Sequence, residues 1–257
     1  MGRIIFLGSG GARIVVFKQI RASGGIWLEV NNKNLLIDPG PGSLVRIVSS
    51  KHKLSPTSLN AVLLSHKHLD HSGDINNIIE AITVGGTEKR GILFAPYDAL
   101  EGDDPVVYRY LRSYLEKIVI LKEREIYQLN GLSFSCPIRH QHRNETYGFL
   151  FKTNKLKIGY IADTKFFEGL ISAYKESEIL ILNVVREKPS ELDHLSLADA
   201  KILIKEIKPK VCFLTHFGMQ MIRKKPWLIA EELNKEFENT IKVIAVSDGM
   251  KYDLEDD

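Results

Sequence analysis

Ser65-His66-Lys67-His68-Leu69-Asp70-His71 brings three imidazoles and one carboxylate into a single short stretch. Alternate residues of an extended segment project to the same side. His66 and His68 are therefore placed to grip one ion, while Asp70 and His71 turn towards a second. Imidazole and carboxylate suit Zn²⁺ and related borderline cations, and no thiolate is needed. A lone loop histidine is ordinarily a solvated surface residue, but four ligand-type groups in one hexapeptide point to metal binding. The other histidines of the eight follow a pattern too. His140 and His142 follow an apolar strand at 132–136, His216 follows one at 211–215, and His194 lies in the loop before a helix over 196–207. Only His52 stands apart.

Such groups converge only if rigid elements deliver them, and strand ends are where a sheet presents functional loops. Asn60 to Leu64 (NAVLL) is a continuous apolar run of strand length, the pattern of a central strand covered on both faces. Residues 3–7, 26–30, 35–37, 91–95, 118–121 and 132–136 also read as strands. Residues 147–152 and 157–162 read as a hairpin around Thr153–Lys155, and 179–183, 211–215 and 241–246 as the strands of a closing α/β unit. Helices are predicted over 43–50, 74–82 (capped by Asp74), 106–116, 196–207 (capped by Ser196) and 226–237. Strand-rich halves that each end in alternating strand and helix predict an α/β chain of two sheets faced by helices. That is a four-layer αββα sandwich, expected as one domain over residues 1–257.

Composition removes other classes. The 257 residues are 44% hydrophobic and 26% charged, which excludes disordered, collagen-like and coiled-coil chains. No run approaches the roughly 20 apolar residues of a membrane span. The amino end has only about five apolar residues before glycines break it, too few for a signal peptide. Cys136 and Cys212 cannot build a disulfide framework, so a cytoplasmic setting is expected. A net charge of +3 falls short of the clustered basic footprint of a dedicated nucleic-acid binder. Gly8-Ser9-Gly10-Gly11, with Glu29 further on, has part of a dinucleotide fingerprint. Arg13 at the third position and the poor helix formers Ile14-Val15-Val16 instead predict a loop at the sheet edge. Trp27 and Trp227 are expected to be packing residues.

The spacing His-x-His-x-Asp-His over 66–71 resembles the signature of the metallo-β-lactamase superfamily, and segments across residues 5–254 agree with it in order. Leu36-Ile37-Asp38-Pro39-Gly40 resembles its early Asp-x-Gly segment, and Arg139-His140-Gln141-His142 its third histidine motif. Gly159-Tyr160-Ile161-Ala162-Asp163-Thr164 is similar to the strand ending in the metal-bridging Asp. Leu214-Thr215-His216-Phe217-Gly218 resembles the last histidine motif, and Val246-Ser247-Asp248-Gly249-Met250 the closing segment. His194-Leu195-Ser196 ahead of a helix is similar to the RNase Z branch and the related cyclic phosphodiesterases.

The resemblance implies the metallo-β-lactamase fold and a dinuclear hydrolase with two divalent ions, Zn²⁺ expected and Mn²⁺ the alternative. One ion takes His66, His68 and a third-motif histidine; the other takes Asp70, His71 and His216; Asp163 bridges them. Pro137-Ile138-Arg139-His140 favours His140, whereas the distance back from Tyr147-Gly148 favours His142. His140 is preferred, with His142 kept as a ligand or phosphate contact. Asp70 and His194 are the candidate catalytic residues, His194 as donor to the oxyanion or leaving group. Asp38 is either a turn residue or the carboxylate that orients a metal-bound histidine. Arg13, Arg21, Arg139 and Arg143 are candidate phosphate contacts. Two ions about 3.5–4 Å apart lower the pKa of a shared water enough to supply a bridging hydroxide.

The expected activity is that of a phosphodiesterase on a small nucleotide-like or cyclic phosphate. The expected partner is a small-molecule phosphoester, ahead of nucleic acid and with no membrane; a homodimer is compatible with the sequence. Only residues 143–162 separate His142 from Asp163, where RNase Z normally carries its tRNA-gripping arm. tRNA 3′ processing is therefore the alternative, alongside thioester or lactone hydrolysis and a non-catalytic metal sensor.

Overall fold

The computed structural model describes residues 2–129, 131–153 and 155–254; Asn154, in the predicted hairpin turn, lies outside them. The strands are β1 (Gly2–Phe6), β2 (Ile26–Val30), β3 (Lys33–Ile37), β4 (Ala61–Leu63), β5 (Ile92–Ala95), β6 (Lys117–Ile120), β7 (Ile126–Leu129), β8 (Leu132–Ser135), β9 (Phe149–Lys152), β10 (Lys157–Ile161), β11 (Ile179–Asn183), β12 (Val211–Thr215), β13 (Lys242–Ala245) and β14 (Met250–Leu254). They form two seven-stranded sheets, in the orders β14-β1-β2-β3-β4-β5-β6 and β13-β12-β11-β10-β9-β8-β7. Each sheet is antiparallel on one side and parallel on the other, with β3 to β6 parallel in the first and β10 to β13 in the second.

The pleat sorts the apolar side chains into three cores. In β1, Ile4 and Phe6 point into the space between the sheets while Ile5 points to the helical face. The inter-sheet core gathers Phe134, Phe149, Phe151 and Phe213, with the Phe6 and Phe213 rings 5.1 Å apart. Helices Ser43–Val48 and Ile75–Ile82 cover the first sheet; Leu197–Ile207 and Pro226–Glu236 cover the second. The expected helix–sheet–sheet–helix layering is what results. No helix among the described residues is long and apolar enough to cross a membrane.

Several local expectations need correction. The helix predicted over 106–116 is only Arg109–Arg112, because the Asn76 amide takes the Val106 carbonyl and the Tyr108 N–H out of any helical ladder. Asp74 does not cap its own helix; its Oδ2 accepts from the Leu44 N–H (2.9 Å), one of the free donors in the first turn of Ser43–Val48. Residues expected as a sheet-edge loop form a short helix, Arg13–Phe17, anchored by buried Val15. No dinucleotide fold results, since β1 runs antiparallel to both neighbours. Trp27 is buried, but Trp227 is 52% exposed and packs no core. The predicted cap at Ser196 is present as a reciprocal pair with Asp199.

Candidate metal centre

Ligands commonly bind beyond the carboxyl ends of parallel strands, and the reactive side chains gather there. β3 leads to Asp38, β4 to His66, β10 to Asp163, β11 to Asn183 and Arg186, and β12 to His216. His66 and His68 sit on an extended segment, and a single helical turn, Leu69–Ser72, then swings Asp70 and His71 to one side. Asp38 and His216 adopt left-handed backbone, φ 51° and 59°, a strain that clusters at functional sites. The loop Gly8–Gly11 presses against His216: a Cβ on Gly11 would lie 2.1 Å from its Nδ1. Gly40 is under the same constraint, 2.1 Å from the Asp70 carbonyl oxygen.

Two groups of donors result. In the first, His66 Nε2 lies 3.0 Å and His142 Nε2 3.1 Å from His68 Nδ1. The hydrogen-bond network fixes the tautomers. The Ser65 hydroxyl donates to Asp38 and so accepts from His66 Nδ1 (3.0 Å), and His142 Nδ1 donates to the Asp193 carbonyl (2.8 Å). Both Nε2 atoms therefore aim lone pairs at one point, and a single proton on His68 satisfies only one of them. Burial pushes the His66, His68 and His142 imidazoles down, His68 to about 4, so these rings are neutral donors at neutral pH.

In the second group, Asp70, His71 and His216 offer ligand atoms within 4.8 Å of one another. His216 Nε2 is 3.3 Å from Asp70 Oδ2. Asp163 lies between the groups, with Oδ2 3.5 Å from His71 Nε2 and Oδ1 3.6 Å from His216 Nδ1; the Asn183 amide donates to Oδ1 (2.9 Å). Asp38 anchors the set from behind. Its Oδ2 accepts from His71 Nδ1 (2.9 Å), the Ser65 hydroxyl (2.7 Å) and the Tyr160 hydroxyl (2.7 Å), and its Oδ1 from the Ser65 N–H (2.6 Å). With Nδ1 so engaged, His71 turns Nε2 towards Asp163, free to give up its proton to an incoming cation.

This donor set fits a divalent cation. Buried His71 Nε2 and both ring nitrogens of His216 have no hydrogen-bond partner. Tetrahedral nitrogen ligands of zinc lie about 3.3 Å apart, close to the spacing of the three imidazoles. Burial pushes Asp163 up, yet His216 and His71 hold its carboxyl well below the usual range; Asp70 is likewise held down against burial by His216 and His71. Burial pushes His71 down, and Asp163 and Asp38 together lift it well above its ordinary value. A pocket that recruits a proton in this way is short of positive charge.

Of the two third-motif histidines, the structure brings His142 to the cluster and not His140. The His140 ring is buried with Nε2 3.1 Å from the Tyr174 hydroxyl, while His142 stands beside His66 and His68. His194 joins from the loop before Leu197–Ile207, with Nε2 3.2 Å from Asp163 Oδ2. His52 is elsewhere, facing the Gly249 carbonyl. A cavity of about 720 Å³ opens over His68, Asp70, Asp163 and His194. Of the four arginines singled out in the sequence only Arg13 lines it, whereas Arg21 reaches the Ser9 hydroxyl. Tyr147 and Phe217 are core residues. Sequence reasoning missed Arg186, Asn183 and Tyr160; all three sit on or just beyond parallel strands that end at the site.

Fold and site together define a two-sheet α/β protein with a His/Asp cluster, able to hold metal, at the strand ends. The family model of the beta-lactamase superfamily domain matches residues 33–217, and the chain belongs to that family, whose members are metal-dependent hydrolases. It is 35% identical over 260 residues to the uncharacterized protein MJ1374 of Methanocaldococcus jannaschii, covering 98% of this chain and 94% of that one. It is 22% identical to a ribonuclease Z of Borrelia garinii subsp. bavariensis, over 97% of this chain and 96% of that protein. Among solved structures, the metallo-beta-lactamase fold protein YhfI of Bacillus subtilis superposes with TM-score 0.77 at 17% identity, covering 98% of each chain. A diphosphatase of the PhnP family gives 0.70 at 21% identity, covering 99% of this chain and 98% of that one.

Proposed function

We propose that the protein is a metal-dependent phosphodiesterase acting on a small nucleotide-like or cyclic phosphate. His66, His68 and His142 would hold one divalent ion, Zn²⁺ or Mn²⁺, and Asp70, His71 and His216 a second, with Asp163 shared. Ions held there supply an activated water and neutralise charge building on the phosphoryl oxygens. Asp38 keeps His71 in the tautomer that presents Nε2, and the Asp193 carbonyl does the same for His142.

The observation that carries the phosphoester reading is His194. Its Nε2 is held 3.2 Å from Asp163 Oδ2 on the wall of the cavity. Protonated, it is placed to donate to a phosphoryl oxygen or a leaving oxygen above the centre. Arg13, lining the same cavity, offers the planar donor fork that phosphate favours. Relatives named as a ribonuclease Z and a diphosphatase support phosphorus–oxygen chemistry. The two buried free thiols, Cys136 and Cys212, support a cytoplasmic setting, with residues 1–257 acting as one domain.

Zinc- or manganese-loaded protein tested on bis(p-nitrophenyl) phosphate, a thioester and a lactone decides the class. The expected result is turnover of the diester alone, abolished in His68→Ala and strongly reduced in His194→Ala. Cleavage of the thioester or lactone with no diester turnover overturns it. Efficient cleavage of a tRNA precursor would replace the small substrate by RNA.

A further inference from the structure

The metal-side cavity does not end at His194. A groove of about 450 Å³ adjoins it, and Arg186 and Gln220 line both. Lys188 and Arg223 complete the cationic side of the groove. Its one carboxylate, Glu187, is already neutralised by Lys224 at 2.5 Å. No carboxylate pairs with Arg186, Lys188 or Arg223 among the described residues. Arg186 is preorganised: its Nη1 donates to the Ser190 hydroxyl, and its buried Nε has no partner. The lining of the cavity that joins groove and His/Asp centre also includes the apolar side chains of Ile14, Leu69, Leu192 and Met219.

A ligand-rich cavity with apolar lining, joined to a groove of cations that no carboxylate pairs among the described residues, suits a substrate with two anionic groups. We propose that cavity and groove form a two-anion site. The scissile phosphodiester lies at the His/Asp centre, the organic body lies on the apolar wall, and a second, non-scissile phosphate of the same molecule is held by Arg186 and Arg223. The substrate class is then a nucleotide phosphodiester that carries a terminal phosphate. This rests on the phosphodiesterase reading and narrows it. Guanidinium–phosphate pairs are charge-assisted and often bidentate, so they discriminate strongly between a phosphate and a hydroxyl at that position.

Two chromogenic esters test it with the metal-loaded protein: thymidine 5′-(p-nitrophenyl phosphate), and the same ester bearing a 3′-phosphate. The 3′-phosphate is expected to lower KM at least about tenfold, ~1.4 kcal/mol. In Arg186→Gln and Arg223→Gln the ratio between the two esters collapses to about twofold or less. In Lys201→Gln, which breaks the remote Lys201–Glu236 pair, the ratio is retained. Equal KM values for both esters in the unmodified protein overturn the two-anion site while leaving the phosphodiesterase reading intact. Turnover of neither ester removes that reading, and calorimetry then decides the site alone. Thymidine 3′,5′-bisphosphate binding at least about tenfold more tightly than thymidine 5′-monophosphate, with the advantage lost in Arg223→Gln, upholds it; equal affinities overturn it.

Discussion

Replacing Asp38 by asparagine exchanges one oxygen for an amide nitrogen, and the surroundings of that carboxylate leave no neutral way to accept the exchange. Four donors converge on it: His71 Nδ1, the Ser65 hydroxyl, the Tyr160 hydroxyl and the Ser65 N–H. If the new NH₂ faces the first three, both hydroxyls reverse by rotation, but His71 reverses only by moving its proton to Nε2. That leaves Nε2 without the lone pair a metal ion needs. If the amide turns round, its NH₂ meets the Ser65 N–H instead, and a buried donor pair is left unmade, at about 1–3 kcal/mol. Losing the partner that orients a metal-bound histidine typically costs about 10–100-fold in metal affinity. Asp38→Asn is therefore expected to bind Zn²⁺ about 10–100-fold more weakly, ~1.4–2.7 kcal/mol, in competition with a chromogenic chelator. Tyr160→Phe removes one donor and leaves the His71 bond, so its affinity changes by less than about threefold. An Asp38→Asn protein with native circular dichroism and unchanged zinc affinity would refute the reasoning.

The two third-motif histidines separate cleanly. His142→Ala is expected to lose one of two bound ions by elemental analysis, while His140→Gln keeps both and loses thermal stability, since it disturbs the buried contact with Tyr174. Gly11→Ala puts a Cβ where the His216 ring stands, 2.1 Å from Nδ1. A displacement of that size costs about 10²-fold in diester turnover, measured on folded protein. Burial pushes the His140 imidazole down to about 3, below the ordinary unfolded value of about 6.5. Its neutral form therefore contributes full stability above about pH 6.5, and the contribution is lost as the pH falls towards about 3. In chelator-treated protein, the melting temperature of His140→Gln is expected to fall less steeply across that window than that of the unmodified chain; parallel slopes would contradict this.

Most of the frame was legible because burial leaves periodic traces. NAVLL, the 179–183 and 211–215 runs and the Ser196 cap each state a local preference that the packing keeps. The hexapeptide declared itself by composition. What stayed hidden depends on contacts between distant segments. Local cues between His140 and His142 point both ways; their different placements come from the Asp193 carbonyl, 51 positions from His142, and Tyr174, 34 from His140. Asp74 looked like a cap for its own helix and serves another, 30 positions earlier. β7 was missed because an edge strand with alternating exposure, Ile126 out and Tyr127 in, gives a weak apolar signal. Arg186 carries no motif at all and gains meaning only from the cavity it lines.

Anomalous diffraction at the zinc edge from crystals grown with Zn²⁺ tests the central claim most directly. Two peaks per chain are predicted, one enclosed by His66 Nε2, His68 Nδ1 and His142 Nε2, the other by Asp70, His71 and His216, with Asp163 between them. A peak bound to His140, or fully zinc-loaded crystals with no peak at the hexapeptide, would contradict it.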